Sequence, residues 1–504
     1  MLDKCLKKDY SVAITENQIT AMQRNLKTTE SFRGSETGKT ATRQYQEREK
    51  SARRKKMKKR WISVMMAAAL AASMPAAAIL AEEEGEATAV TTVGAEDGTH
   101  FEMWSFVDAH NEFYGKMVEL WNEQNPDKQL NVTFSTYPYS DMHNKLMMSL
   151  QAGSGAPDMC DIEIGQFPNY TGDDCPLYPL TDALAPYEED CVQSRLDVYS
   201  KADGTRIGVP THVGATVMYW NAEIFEEYGL DYKSVKTWDD YTALGEQLKE
   251  ASNGEVYLTS VDTGGVDWMW IAMAEYGDDW TGGPDGEPNV EIDSVRKMMT
   301  MQKQWLDDGI AMISTDGHVD LEAGFKNVSE GKIASFPKAM WYMSRFTNYM
   351  PEMEGKYDIT TVPVFEEGQK NSVGIGGTGT VVTGQCAEPE LAAEFLAWAK
   401  LSKEGESYIW SELGFDVCNS SLWFDEEFAF DESNQYNTFF RVKPYEVLQE
   451  LANNDAIGTV YTTSASPTLN DYMCTTTLNE VFEDGMDVDE ALAEAQEYLE
   501  MELM

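Results

Sequence analysis

Ile207–Asn221, IGVPTHVGATVMYWN, is the stretch on which the reading of the whole chain turns. Two short apolar runs, Ile207–Val209 and Ala215–Trp220, are separated by Pro210, Thr211, His212, Val213 and Gly214. Proline fixes φ and withholds a ladder donor, so it ends the first run or sits on an edge. Gly214 can take positive φ and begin a new strand. A chain that ends one strand and at once begins another is placed to leave one lobe and enter the next. His212 and Thr211 at such a joint look into the cleft between lobes. An ordinary proline-kinked strand within one domain fits this stretch equally well, and the rest of the chain decides.

At 504 residues the chain exceeds what one hydrophobic core usually holds, so two lobes are expected. Its 42% hydrophobic and 11% aromatic content supplies large cores and excludes global disorder. The formal charge is −47 and is unevenly spread. Basic residues outnumber acidic ones 17 to 7 over residues 1–81, which leaves the remainder at about −57. Such a surface repels phosphates and anionic headgroups, which argues against nucleic-acid and lipid-surface partners and for a neutral ligand.

Residues 57–81 have the anatomy of a secretory signal: Lys58, Lys59 and Arg60, an apolar run from Trp61, and small residues before Glu82. Cleavage after Ala78 or Ala81 is expected. An uncleaved anchor is the alternative, since the run is nearly long enough to span a bilayer; Pro75 and the alanine-rich end favour cleavage. Residues 1–56 are polar and aperiodic, and read as a non-native or disordered upstream extension. Residues 82–98 read as a flexible acidic linker. Six cysteines follow the signal, at 160, 175, 191, 386, 418 and 474. Their spacing suggests no zinc site, their connectivity stays open, and Cys160 reads as a buried thiol.

From Thr99 onward short apolar strands alternate with amphipathic helices. Strands are expected at Thr99–Phe106, Leu130–Ser135 and Met159–Ile164, and helices at Asp108–Gln124 and Asp141–Ala152. Alternation of this kind indicates α/β lobes with mainly parallel sheets, whose ligands sit at the carboxyl ends of the strands. Those ends carry Trp104 to His110, Tyr137 to Tyr139, and Glu163 to Phe167. In the second lobe, Thr237 caps a helix through Ala251, a further helix spans Val290–Gly309, and Val256–Thr259 and Ile333–Phe336 are strands. Tyr357–Pro363 is an extended run able to return to the first lobe. Glu388–Lys400 and Asp489–Leu499 are helices. Gly374, Gly376 and Gly379 form a literal G-x-G-x-x-G, but TVVTG follows where a nucleotide loop requires a helix. Close backbone approach to a ligand, or a bulge, explains those glycines better.

The features in order resemble the extracellular solute-binding proteins of carbohydrate ABC importers. The likeness is carried by SGAPDMCDIE (154–163), YPLTDAL (178–184), DGTRIGVPTHVGATVMYWNAEIFEEYGL (203–230), KTWDDYTALGEQL (236–248), EGKIASFPKAMW (330–341), AAEFLAWAKLSKEG (392–405) and DEALAEAQEYL (489–499). A nearer likeness, to the arabinose and arabino-oligosaccharide branch, rests on WSFVDAHNEFY (104–114), PYSDMHNKL (138–146), PTHVGATVMYWN (210–221), MSRFTNYMPEMEGK (343–356), GGTGTVVT (376–383) and WSELGFD (410–416). Two features depart from that branch. No lipid-accepting cysteine directly follows the signal, and VCNSSLWF (417–424) differs from its pattern.

The resemblance implies an α/β, two-lobed type II periplasmic-binding fold. Lobe 1 would be 99–210 plus 373–410, and lobe 2 would be 211–372 plus 411–504. Crossings would lie at Gly208–Gly214, at Tyr357–Val373 and near Trp410, with sugar held between lobes that close by hinge motion. It implies an exported, monomeric binding subunit, extracellular or periplasmic, that passes an arabinose-type mono- or oligosaccharide to membrane permease subunits. No catalysis, cofactor, metal or nucleic-acid partner is expected. The alternative is a secreted glycoside hydrolase, which needs two placed carboxylates; 79 acidic residues after the signal make their mere abundance uninformative.

Sugars need paired donors and acceptors and an aromatic face for their C–H surface. The candidate ligand-binding residues are therefore Trp104, Phe106, His110, Glu163, His212, Trp268, Trp270, Trp341, Arg345, Gly376 and Gly377. Trp104 and Phe106 alternate, so one faces the core. His110 opens a helix and in the plainer reading only caps it. Trp268 and Trp270 share a face if extended, whereas a helix leaves one available. Arg345 and Glu163 would otherwise pair with each other. Trp341 matches the tryptophan that relatives place against sugar and is the first choice. Trp280, Trp305, Trp398 and Trp423 read as packing residues.

Overall fold

The computed structural model describes residues 86–172, 174–281, 287–459 and 461–503. The expected signal at 57–81, the extension at 1–56 and residues 82–85 of the expected linker lie outside them. The rest of that linker is not a tether. Ala89–Gly94 forms strand β1, paired antiparallel with Leu130–Thr136 from Ala89↔Thr136 to Gly94↔Asn131. Its run of β-branched residues, Val90, Thr91, Thr92 and Val93, suits a mostly exposed edge strand, which the composition did not suggest.

Along the chain follow β2 (Thr99–Ser105), α1 (Asp108–Gln124), β3 (Leu130–Thr136), α2 (Tyr139–Ala152) and β4 (Met159–Glu163). Next come β5 (Val209–Pro210), β6 (Thr216–Asn221), α3 (Trp238–Ala251), β7 (Thr259–Val261), α4 (Asp267–Tyr276), α5 (Asp293–Asp307) and β8 (Ala311–Ile313). After them lie α6 (Glu322–Ser329), β9 (Ser335–Ala339), α7 (Met343–Tyr349), β10 (Tyr357–Thr360), β11 (Ser372–Val373) and β12 (Thr378–Val382). The principal elements end with α8 (Pro389–Leu401), β13 (Ile457–Gly458) and α9 (Val488–Glu502). Local chemistry explains the clearest of these. In β3 every second residue, Leu130, Val132 and Phe134, turns inward. In α1 one stripe, including Phe113, Met117 and Trp121, is buried. Thr237 closes the start of α3 with a capping box: its hydroxyl accepts the Asp240 N–H, and the Asp240 carboxylate accepts the Thr237 N–H.

The first sheet has the order β1-β3-β2-β4-β12-β5, and the second has β6 between β9 and β10, with the parallel pair β7–β8 alongside. The Ser335 N–H donates to the Leu258 carbonyl and carries β7 onto the flank of β9. Strands β2, β3 and β4 run parallel as expected. One interior strand in each sheet is reversed: β12 runs antiparallel to β4 and β5, and β6 to β9 and β10. Both follow directly on a crossing between the sheets. A strand that starts at the joint must run away from it, whereas the parallel strands run towards it.

Buried residues of the two sheets share one apolar cluster, which joins Phe101, Met103, Val132 and Phe134 to Val217, Tyr219, Phe336 and Ile359. A second cluster, around Trp220, Trp238, Trp305 and Leu492, belongs to the half built on the second sheet. A third packs Met142, Cys160, Ile162, Phe167 and Tyr199 against the first sheet. Trp280, Trp305 and Trp423 are buried and Trp398 is partly so, in keeping with packing roles. Cys160 is a buried free thiol beside Met142, and all six cysteines after residue 86 are free.

The chain from Asp416 onward does not belong wholly to the second half. The Val192 N–H donates to the Cys418 carbonyl and the Ser420 N–H to that of Asp190, so residues 418–420 are tied to the first half.

Candidate functional site

Three chain segments meet where the two sheets adjoin. The Ala215 N–H donates to Asp416 Oδ2 at 2.7 Å, and the Val213 N–H to the Asp416 carbonyl at 3.0 Å. The Ile375 N–H donates to the Gly214 carbonyl at 2.8 Å. Gly376 and Gly377 follow with φ of 70° and 106°, a region that L side chains rarely adopt. A Cβ on Gly376 would lie 2.8 Å from the Trp341 indole nitrogen, and one on Gly377 would lie 3.3 Å from His212 Nε2. The glycines are therefore where two site candidates press on backbone. The loop leads into a strand, β12, which agrees with rejecting the nucleotide reading.

On the first-half side, Phe106, Tyr139 and His143 form one aromatic group, with ring centroids 4.6–5.2 Å apart. Glu163, the last residue of β4, accepts hydrogen bonds from the Tyr139 hydroxyl (3.0 Å) and the Gly165 N–H (2.7 Å). Burial pushes its carboxyl up to about 7, aided by the facing charge of Asp267 on the second half. His143 is kept neutral by burial, its pKa lowered to about 4, and its Nε2 accepts the Glu163 backbone N–H. Beneath lies a buried polar network. His110 Nδ1 is 2.9 Å from Asp161 Oδ2, and the hydroxyls of Tyr114 and Thr380 donate to Asp161 Oδ1. Burial opposes ionisation of Asp161, yet the hydrogen bond and charge of His110 hold its carboxyl below the usual range.

On the second-half side, Trp341 is half-buried and its indole N–H donates to the Ile375 carbonyl at 2.9 Å. The Arg345 guanidinium lies 5.2 Å from the Trp341 ring centroid and is held bidentately by Asp320, at 2.8 and 3.2 Å. Beside them, at the carboxyl ends of β7 and β9, Lys338 is almost wholly buried between Asp262 (3.4 Å) and Asp267, with His318 Nε2 at 3.3 Å. Burial disfavours both ions, but the Lys338 charge keeps the Asp267 carboxyl low. The turn Phe167–Tyr170 of the first half touches the helix Ser466–Tyr472, which packs in the second-half core.

The structure thus gathers Phe106, Glu163, His212, Trp341, Arg345, Gly376 and Gly377 around the joint, with His110 supporting from below. His212 is buried against Phe415 (4.6 Å), and neither of its ring nitrogens has a hydrogen-bond partner among the described residues. Burial and the Arg195 charge lower its pKa well below the ordinary value, so it is neutral. His110 does not cap its helix, since Val107 occupies the N-cap.

Three candidates are not brought to this cluster. Trp104 is the core member of its alternating pair, packed edge-on to Tyr137. Trp268 and Trp270 lie in α4 and are buried in the second-half core, with Trp268 against Trp238 and Trp305 at 5.6 and 5.7 Å. An α-helix of almost uniformly apolar residues must be packed on all sides, which removes the shared face that an extended run would offer. Arg345 and Glu163 do not pair with each other, because Asp320 takes the first and Tyr139 and Gly165 the second. Sequence reasoning missed Asp267, Lys338, Asp320 and Phe415. No shared local pattern marks the first three: Asp267 precedes an apolar run, Lys338 interrupts one and Asp320 adjoins none, so only the fold brings them to the joint.

Residues 108–406 match the family of bacterial extracellular solute-binding proteins. The chain is 36% identical to an arabinooligosaccharide-binding protein of Halalkalibacterium halodurans over 82% of this chain and 92% of that one. Its identity to an arabinooligosaccharide-binding protein of Bacillus subtilis is 34%, over 70% and 81% respectively. Among solved structures, the ABC-transporter-associated binding protein of Bifidobacterium animalis in complex with β-1,6-galactobiose superposes with a TM-score of 0.64 at 21% identity, covering 80% of this chain and 97% of that one. The galacto-N-biose/lacto-N-biose I-binding protein of Bifidobacterium longum gives 0.64 at 20%, covering 79% and 96%. These likenesses establish the two-lobed type II periplasmic-binding fold. Together with the length of the family match, they place the chain: it belongs to the bacterial extracellular solute-binding proteins.

Proposed function

We propose that this chain is the capturing subunit of an ABC sugar importer, taking an arabinose-type saccharide between its two lobes and handing it to a membrane permease. The observation that carries the reading is the placement of Trp341. Its indole is anchored to the Ile375 carbonyl of a crossing segment, beside a charge-balanced Arg345–Asp320 pair and close to Gly376. An aromatic face fixed at the joint suits the C–H surface of a sugar, and the acceptors of Glu163 and Asp267 suit its hydroxyls. The name shared by the two relatives above 30% identity supports an arabino-oligosaccharide over other neutral sugars. Contacts available from both lobes only when they meet would make ligand favour the closed form.

Glu163 held near neutrality and Asp267 held ionised also have the polarity of a hydrolase pair, so the test must separate capture from cleavage. Titration calorimetry with arabinose and arabino-oligosaccharides, followed by chromatography of the recovered sugar, does so. Binding with the sugar returned intact, and compaction in small-angle scattering at saturation, is the expected result. Shortened products, or no heat with any of these sugars, would refute the reading.

A further inference from the structure

Trp341, Arg345 and Tyr349 stand four residues apart on the continuous helical path formed by the turn Met340–Tyr342 and α7. Residues at this spacing share a face, and eight residues advance about 12 Å along the axis. At the inner end Trp341 is fixed to the joint. At the outer end the Tyr349 ring lies 4.9 Å from that of Phe325 on α6, and the two planes differ by 5°. Tyr349 is nevertheless 60% exposed, and Leu321, one turn before Phe325, is exposed too. Large exposed apolar residues need no explanation singly, but Phe325 packs on the core and holds the Tyr349 ring in a fixed plane, so one aromatic face is presented to solvent ready to stack. Arg345 between the two aromatic stations has its charge balanced by Asp320, so the whole row is neutral in effect.

We infer that the Tyr349–Phe325 stack is an outer saccharide station, which holds the distal residues of an oligosaccharide whose inner residue rests on Trp341. The inference rests on the sugar-binding reading above and adds to it a preference for length. The occupant is more of the same ligand because the row is continuous with the joint, and its spacing exceeds one sugar ring. A neutral polyol suits it, since a chain at −47 repels anions and the only cation in the row is already paired. Aromatic stacking on the exposed Tyr349 face would then add affinity for each chain long enough to reach it.

The test is calorimetry of the full chain and of Tyr349→Ala and Phe325→Leu across arabinose and its di- to hexasaccharides. Tyr349 is exposed, so its truncation leaves the fold intact; Phe325→Leu keeps the apolar bulk under the ring. The expected result is wild-type affinity that rises with length, with both variants losing about fivefold or more on the longest sugars and less than about twofold on the disaccharide. Equal losses at every length, or none at any length, overturn the outer station while leaving disaccharide capture standing. Unchanged binding combined with impaired permease-dependent uptake assigns the patch to the membrane partner and also overturns it. Absence of saccharide binding by the wild type sinks both readings.

Discussion

Asp416 Oδ2 accepts the backbone N–H of Ala215 at 2.7 Å, and this bond ties the first crossing between the sheets to the last. The same residue's carbonyl accepts the Val213 N–H, so one side chain and one peptide group of Asp416 brace both sides of Gly214. Removing the carboxylate leaves a buried N–H unpaired in the segment that joins the two sheets. Asp416→Ala is expected to cost about 2–3 kcal/mol in urea unfolding. Asp416→Asn, which keeps an oxygen acceptor for Ala215, is expected to cost less. Equal losses from the two variants would show that the bond is not what braces the joint.

Trp341 and Trp268 should separate cleanly when each is truncated. Trp341→Ala is expected to lower saccharide affinity at least tenfold, about 1.4 kcal/mol, with a small effect on unfolding. Trp268→Ala empties a site between Trp238 and Trp305 and is expected to cost about 3–5 kcal/mol of stability. Where it folds, it should bind with near-wild-type affinity. Calorimetry paired with thermal unfolding reads both effects, and a reversed pattern would relocate the site.

Glu163 predicts a pH effect on binding. Its carboxyl is raised to about 7 by burial, with Asp267 opposing its charge and Arg195, Tyr139 and the Gly165 N–H favouring it. A group raised in this way holds its proton in the folded arrangement. Its contribution is complete below its unshifted value near 4.5 and is lost as pH rises through 7. Saccharide affinity is therefore expected to fall between about pH 4.5 and 7, and Glu163→Gln to flatten that profile. Dissociation constants measured across this range for both proteins check it.

Glu275 predicts a pH effect on folding rather than on binding. Its two oxygens accept the Trp238 indole N–H and the Phe365 backbone N–H, each at 2.9 Å, and burial raises it to about 8. The sign is the same: the stabilising protonated form is fully populated below about 4.5 and is lost as pH rises through 8. Unfolding free energy should decline over that window. The Glu275→Gln variant should decline less steeply, measured by urea titration at several pH values.

Alternation of apolar runs with helical stripes was enough to read most of the first half. The helix at Asp108–Gln124 has the bounds expected of it, and β2, β3 and β4 differ by a residue at one end. These elements are determined locally, because each must turn one face or stripe away from water. The strand β1 was not legible, since its Thr-rich residues resemble a linker until β3 supplies a partner for their backbone groups. The second-half strands β7 and β9 are displaced by two or three residues from their expected positions. Short, fully buried runs carry no alternation to mark their ends.

The site divides along the same line. Composition and charge pointed to a neutral ligand, and the break at Pro210–Gly214 marked the joint, because both are properties of residue type. Which tryptophans face that joint was decided only by packing. Trp341 follows directly on a strand that ends there, whereas Trp268 and Trp270 lie in a helix enclosed by the core. The pairing of Arg345 with Asp320 and the approach of Asp267 to Glu163 depend on contacts between distant parts of the chain. Local sequence sets what a residue prefers, but only the assembled sheets bring its partners within reach.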